Sequence, residues 1–449
     1  MEKYLVDIQK RLYICNKIYE MYNDILNSYV SDFYLENHWS KLPKSWQYFF
    51  EDIDINELSN ILDLSKSIKK KICPLALLCI RCLMMKYTLR RKSKLISKTP
   101  IYNFENNKFM NFFWKNVKLK KRHEIDVMAK QCYKSAEETD CFYIVDIGSG
   151  LGHLSRMLSY GYGFKVCTFE AIEKLTIAAR ELDTNFETTL NKRNIKHKNT
   201  FQTIHINKQI TVDLNIGVFL ECVNKAFNID NATFGIVGLH PCGNLGATLL
   251  RFYVECPNIR FINIASCCYM KITLSPLNES CFPLSSFCLS KNITLSYLAC
   301  EIACHAIENY SRKLKSSVEY NKLKIHAYRA ALEKILVTHN PALKHSIIGS
   351  AKCDEDLTFL KYVQKVCDKF PEISLDEILY HENAVSSSWK YVVVFYSVRL
   401  LMAPLIENMI LLDRVLYVIE NGSHCEINPI FDCTISPRNQ VLSATKFKS

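Results

Sequence analysis

The chain has 449 residues, 49% of them hydrophobic, enough to bury a real core as one large domain with an accessory region or as two domains. Lysine and arginine number 57 against 45 acidic residues, a formal charge of +12 that favours an anionic partner such as RNA without naming one. Twenty cysteines would suit a disulfide framework in a short secreted chain, but this chain is long and opens Met-Glu-Lys without an apolar signal region. Reduced thiols, no disulfide-linked partner and a cytoplasmic or nuclear location are therefore expected.

Residues 1–135 carry apolar and aromatic residues at helical spacing, such as Tyr4, Ile8, Leu12 and Cys15, with few glycines, and form an expected helical N-terminal region. Within it lie two basic runs. Lys86, Arg90, Arg91, Lys92, Lys94 and Lys98 make one, and Lys115, Lys118, Lys120, Lys121 and Arg122 beside Trp114 make the other. Both suit RNA, and both equally suit solvated helix faces. Cys79 and Cys82 form a Cys-x-x-Cys pair inside an apolar run with no second pair at ribbon spacing, so core packing is expected of them.

After residue 135 short apolar runs alternate with amphipathic segments, the pattern of a parallel sheet with crossover helices. Strands are expected at Phe142–Ile147, Phe164–Phe169, Gln202–Ile206, Phe234–Leu239 and Ile259–Ile264, with helices from Gly152, Ile172 and Asn244. Residues 136–271 thus read as an α/β, Rossmann-like core. From 272 to 388 the strand pattern lapses, and Tyr297–Leu314 and Lys324–Leu336 read as a helical insertion. Residues 389–449 resume with a long helix, Trp389–Glu420, then strands Cys425–Asp432 and Gln440–Phe447 joined by a tight turn at Ser436-Pro437-Arg438-Asn439. Arg399, Glu407, Asp413 and Arg414 interrupt the apolar part of that helix, and a spanning helix needs roughly 20 mainly apolar residues, so no membrane span is expected.

The segment Asp146-Ile147-Gly148-Ser149-Gly150-Leu151-Gly152 follows the first strand, where glycines let the backbone turn sharply and approach a ligand. A dinucleotide fingerprint needs Gly-x-Gly-x-x-Gly. Here the third glycine comes one residue early, which disfavours a nicotinamide cofactor. Asp146 suits a cationic ligand, such as the ammonium of a methionine moiety, and would be badly placed against a pyrophosphate. Glu170, at the end of the second strand and 22 residues beyond Gly148, has the chemistry to accept hydrogen bonds from both hydroxyls of a ribose. The ligand that fits is S-adenosylmethionine, held by Asp146, Gly148, Ser149, Gly150, Gly152 and Glu170.

The fourth strand ends in Gly238-Leu239-His240-Pro241-Cys242-Gly243 and the fifth in Ala265-Ser266-Cys267-Cys268-Tyr269. Neighbouring carboxyl ends line the crevice of an open parallel sheet, so His240, Cys242 and Tyr269 are expected near the acceptor, with His240 as a general base; structural cysteines and a turn-capping histidine are the alternative. His240, Cys242, Cys267 and Cys268 also amount to four zinc-type ligands, but their spacing fits no known ribbon or finger, and no metal is expected.

With these residues in view the chain resembles the methyltransferase-like protein 25 family, whose members are also named for a ribosomal RNA adenine dimethylase domain. The resemblance runs through Val145–Ser155, Val237–Leu245, Cys267–Lys271, Phe282–Ser285, Ala303–Ala306, Tyr328–Glu333, Leu411–Arg414 and Ser436–Asn439. It implies a class I methyltransferase fold using S-adenosylmethionine. Enzymes of adenine N6 carry Asn/Asp-Pro-Pro-aromatic after the fourth strand, whereas His240-Pro241-Cys242-Gly243 stands here, so the adenine chemistry in the family's name is not expected. The family's Met-Ser-Pro-Lys-Lys before His-Glu is kept only at Lys120, Lys121, His123 and Glu124, and this resemblance implies a role for Lys121 or His123 at the cofactor carboxylate or an anionic substrate. The strand-end turns are similar to those of tRNA ribose 2'-O-methyltransferases. The expectation is a methyltransferase acting on RNA, against a silent cofactor- or RNA-binding adaptor or a protein methyltransferase.

Overall fold

The computed structural model describes residues 2–68, 72–93, 107–115, 117–195, 201–274, 281–346, 349, 351, 354, 357–366 and 373–446. Two compact units emerge from the chain: residues 1–16, 89–295 and 407–449 form one, and residues 17–88 and 296–406 form the other.

The first unit is built on a seven-stranded sheet. Its strands are β1 (Tyr143–Ile147), β2 (Lys165–Glu170), β3 (Ile204–Asn207), β4 (Phe234–Cys242), β5 (Ile259–Cys267), β6 (His424–Pro429) and β7 (Gln440–Thr445), in the order β3-β2-β1-β4-β5-β7-β6. β1 to β5 pair in parallel, and β7 runs antiparallel to both β5 and β6. This is the Rossmann-like class I methyltransferase sheet that the resemblance implies. Ile144, Val145 and Ile147 of β1, Val166, Cys167 and Phe169 of β2, and Phe234, Ile236 and Val237 of β4 are all buried, as strands covered on both faces require. The order reverses between β1 and β4, and the crevice beyond their carboxyl ends is where such sheets bind ligands.

The Leu119–Thr139 helix leads into β1 and packs on β4, β5 and β7. Ser135 and Asn263 share hydrogen bonds there, with Asn263 Nδ2 donating to Ser135 Oγ at 3.0 Å. The helix Ile216–Phe227, which the strand pattern did not lead us to expect, is capped by Asn215 and buries Phe219, Val223 and Phe227. The final hairpin forms as expected in its strands, but residues 430–439 join them in place of a tight turn. Its expected end at Phe447 lies outside the described residues.

The second unit is helical, and it explains why residues 1–135 do not stand as one region. The Ile55–Leu62 helix packs on Ile307–Leu314, with Ser59 Oγ donating to the Ser311 carbonyl at 2.9 Å. Arg399, buried on the Leu375–Leu401 helix, donates to the carbonyls of Ile25 and Leu26 at 3.1 Å each. Both carbonyls lie at the end of a short helix; that of Ile25 also accepts from the backbone beyond the helix, and for that of Leu26 the distant arginine supplies a donor that the helix cannot. Cys79 and Cys82 are exposed, which removes core packing as their role.

The expected single helix Trp389–Glu420 is two, Leu375–Leu401 and Ala403–Glu420, broken at Met402. Together they are long and apolar enough to cross a membrane by length and composition, yet 94% of the most apolar window is buried in protein. Among the described residues no two cysteines are joined by a disulfide.

Candidate active site

The glycine loop leaves β1 with Gly148, Gly150 and Gly152 all in left-handed backbone, at φ of 71°, 57° and 69°. Side chains other than hydrogen resist that region, so the loop's shape requires its glycines. Asp146 is buried at the end of β1 and accepts a hydrogen bond from Ser155 Oγ at 2.5 Å. Burial pushes its carboxyl up to about 6, against the Ser155 hydrogen bond and the positive charge of Lys121. The Glu170 carboxylate, at the end of β2, accepts from the Gly150 amide at 2.9 Å and from the Ile172 amide at 3.0 Å. Each oxygen retains a second lone pair for a hydroxyl donor. Ser149 Oγ is buried without a hydrogen-bond partner among the described residues, and a Cβ on Gly150 would meet nothing within 4 Å. An orphaned hydroxyl and open space on the loop fit a nucleoside-containing ligand.

Gly152 serves a different end. A Cβ there would lie 3.2 Å from His205 and 3.5 Å from Arg156. These two belong to a buried network that sequence reasoning missed: Arg156 Nε donates to Asp183 at 2.5 Å, His205 Nε2 lies 2.8 Å from the other Asp183 oxygen, and His205 Nδ1 lies 3.0 Å from Thr168 Oγ1. Arg156 also donates to the Leu151 carbonyl at 3.0 Å, so the network grips the glycine loop from behind.

At the end of β4 the register with β5 shifts: Leu239 pairs with Ala265, and the next pair is Cys242 with Cys267. The irregularity falls at His240, whose φ is 72°, a strained value for a residue with a side chain. Such a bulge re-aims side chains. His240 turns to Glu124 of the Leu119–Thr139 helix, Nε2 to Oε1 at 3.0 Å, and Glu124 accepts from Ser436 Oγ at 2.6 Å as well. Burial raises the Glu124 carboxyl, but His240, Ser436 and Lys120 outweigh it and hold the group down at about 2. Glu124 was visible only as half of the His-Glu pair.

The same bulge brings three thiols together. Cys242 Sγ lies 3.1 Å from Cys267 Sγ and 3.4 Å from Cys268 Sγ, and the latter two are 3.6 Å apart. Cys242 is exposed, and the hydrogen bond from Cys267 holds its thiol down at about 6, helped by Cys268, His240 and Lys271 against the opposing effect of burial. The Cys267 thiol is pushed up by its hydrogen bond to Cys242 and by burial. His240 is not part of this cluster.

Two expected site residues point elsewhere. Tyr269 is buried, and its hydroxyl donates to Glu407 Oε1 at 3.0 Å beneath the turn, so it faces the core and not the crevice. His123 Nε2 accepts from the Asp432 amide at 2.8 Å and holds the β6–β7 connection. Lys121, one turn from Glu124 and half-buried, is close enough to Asp146 and His153 for its charge to act on both. Of the basic runs, Arg91 is internal: it donates to Glu407 and to the Pro437 carbonyl, both at 2.8 Å. Lys94 and Lys98 lie outside the described residues. Lys115, Lys118 and Lys120 are exposed.

Fold and loop are those expected of a methyltransferase domain, and a family model described as "Methyltransferase domain" matches residues 120–275. The chain is similar to the human probable methyltransferase-like protein 25, 26% identical over 242 residues that cover 47% of this chain and 36% of that protein. The mouse protein of the same description is 24% identical over 243 residues, covering 47% of this chain and 37% of that protein. The matched stretch therefore spans little more than a third of these curated relatives. Among solved structures, magnesium protoporphyrin IX methyltransferase from Synechocystis PCC 6803, with bound SAM, aligns over 34% of this chain and 62% of that one at 12% identity, with a TM-score of 0.22.

Proposed function

We propose that this chain transfers the methyl group of S-adenosylmethionine to RNA. The observation that carries the cofactor is the pairing of Asp146 and Glu170 at adjacent strand ends around an open glycine loop. Asp146 would meet the methionine ammonium and Glu170 the ribose hydroxyls, while Ser149 Oγ gains a partner. The cofactor supplies a methyl group already activated on sulfonium, so the protein's part is to hold donor and acceptor in line and to accept a proton. His240, held by Glu124 at the end of β4, would take the second task.

Support for RNA is electrostatic and aromatic. Beyond the net charge, Phe112, Lys115 and Arg193 line a surface hollow of about 480 Å³, with the Arg193 guanidinium 5.6 Å from the centre of the Phe112 ring. A cation stacked on an aromatic ring beside a lysine suits a phosphate backbone carrying unpaired bases.

The test is to incubate the purified chain with labelled donor and separate RNA, protein and metabolite pools. Label in RNA is expected. Label in protein or metabolites overturns the acceptor, and cofactor binding without any transfer favours an adaptor. Asp146→Ala should abolish binding of the donor in calorimetry.

A further inference from the structure

We propose that Cys242, Cys267 and Cys268 form a zinc site with three thiolate ligands and a fourth position open to solvent. The three Sγ atoms lie 3.1 to 3.6 Å apart, and a tetrahedral zinc with Zn–S bonds near 2.3 Å wants its sulfurs about 3.8 Å apart. Parting by a few tenths of an ångström each would admit the ion. The arrangement has a cause in the backbone: the bulge at His240 puts Cys242 opposite Cys267, and Cys268, at φ 52°, turns its thiol back toward both. Thiols that merely fill a core need neither feature.

Binding zinc would release to solvent the protons that the thiols still carry.

Among the described residues no fourth histidine, cysteine or carboxylate ligand atom joins the three. Three protein ligands with one open position is the pattern of a reactive zinc site, whereas structural sites are closed by four. Cys242 is exposed, so the open position is reachable. It would hold water or an anionic acceptor atom; that last use rests on the methyltransferase reading, and binding of the metal does not.

The test uses the full chain, reduced and stripped of metal, titrated with Co2+ as a spectroscopic stand-in and then with Zn2+. One equivalent of Co2+ should give intense thiolate-to-cobalt charge transfer and a tetrahedral d–d spectrum, both lost on adding Zn2+. Cys242→Ser and Cys268→Ser should each weaken binding by about tenfold or more, and the double variant should lose the spectrum while its circular dichroism is unchanged. The exposed pair Cys79→Ser/Cys82→Ser should behave as the parent. A reduced chain that takes up no cobalt overturns the proposal, as does a spectrum that survives in Cys242→Ser/Cys268→Ser or disappears only in Cys79→Ser/Cys82→Ser. Because the readout is spectroscopic, it stands or falls apart from methyl transfer.

Discussion

The Glu124 carboxylate meets the His240 imidazole at 3.0 Å across 116 residues of sequence, at the point where β4 bulges away from its register with β5. Glu124 is buried, with Ser436 Oγ as a second partner and Lys120 at 3.5 Å. Replacing it by glutamine keeps the shape but removes the charge that aims the ring. Glu124→Gln should cost about 2 kcal/mol in urea unfolding. A double-mutant cycle with His240→Asn should return about 1 kcal/mol of coupling. Additive single effects would show that the two side chains do not act together.

Asp146 makes pH a probe of the glycine loop. Its carboxyl, pushed up to about 6 by burial, binds its proton more tightly folded than unfolded. The resulting stability is fully present below the ordinary carboxylate value near 4 and is lost as pH rises through 6, a change of about 3 kcal/mol. Asp146→Asn should remove that decline, so the stability curves of the two proteins should converge below pH 4 and separate by pH 7. A cationic cofactor prefers the ionised carboxylate. Affinity for S-adenosylmethionine should therefore rise through pH 6 and level off above it, and a flat profile from pH 5 to 8 would exclude contact between Asp146 and the ammonium.

What was legible in the chain divides along physical lines. β1, β2, β4 and β5 announce themselves because strands buried on both faces read as largely apolar runs, and the glycine loop because its left-handed backbone disfavours side chains. The Ile216–Phe227 helix had its signal in Asn215 and in Phe219, Val223 and Phe227 at intervals of four, which the run of strands obscured. Tyr269 was placed on the right turn but the wrong side of it, since nothing local says that Glu407 waits beneath. The pairing of residues 17–88 with 296–406 was illegible for the same reason: Arg399 and Ile25 are 374 residues apart.

Asp413 joins two of the short motifs in space. It is buried and accepts from the Leu284 amide at 2.8 Å, the Ser285 amide at 2.9 Å and Ser285 Oγ at 2.7 Å. Phe282–Ser285 and Leu411–Arg414 are thus one structural device, a carboxylate satisfying a loop's backbone. Asp413→Ala leaves two buried amides unpaired and should cost about 3 kcal/mol or more. Affinity for S-adenosylmethionine at temperatures where the variant stays folded should be unchanged; a large loss there would place Asp413 in the cofactor site.

Gly150 and Gly152 separate binding from stability within a single loop. Alanine at either position must adopt left-handed backbone, which costs on the order of 1 kcal/mol. At Gly150 the added methyl meets no protein atom within 4 Å, so the backbone cost is all that stability loses, and the methyl instead occupies the space offered to a ligand. At Gly152 it presses on His205 at 3.2 Å and Arg156 at 3.5 Å, inside a network that has little room to yield. Gly152→Ala should therefore lower the melting temperature more than Gly150→Ala, whereas Gly150→Ala should weaken S-adenosylmethionine binding more for each kcal/mol of stability lost. Thermal unfolding and calorimetry on the two variants decide it: if Gly150→Ala binds the cofactor as the parent does, the open face of the loop is not where the ligand lies.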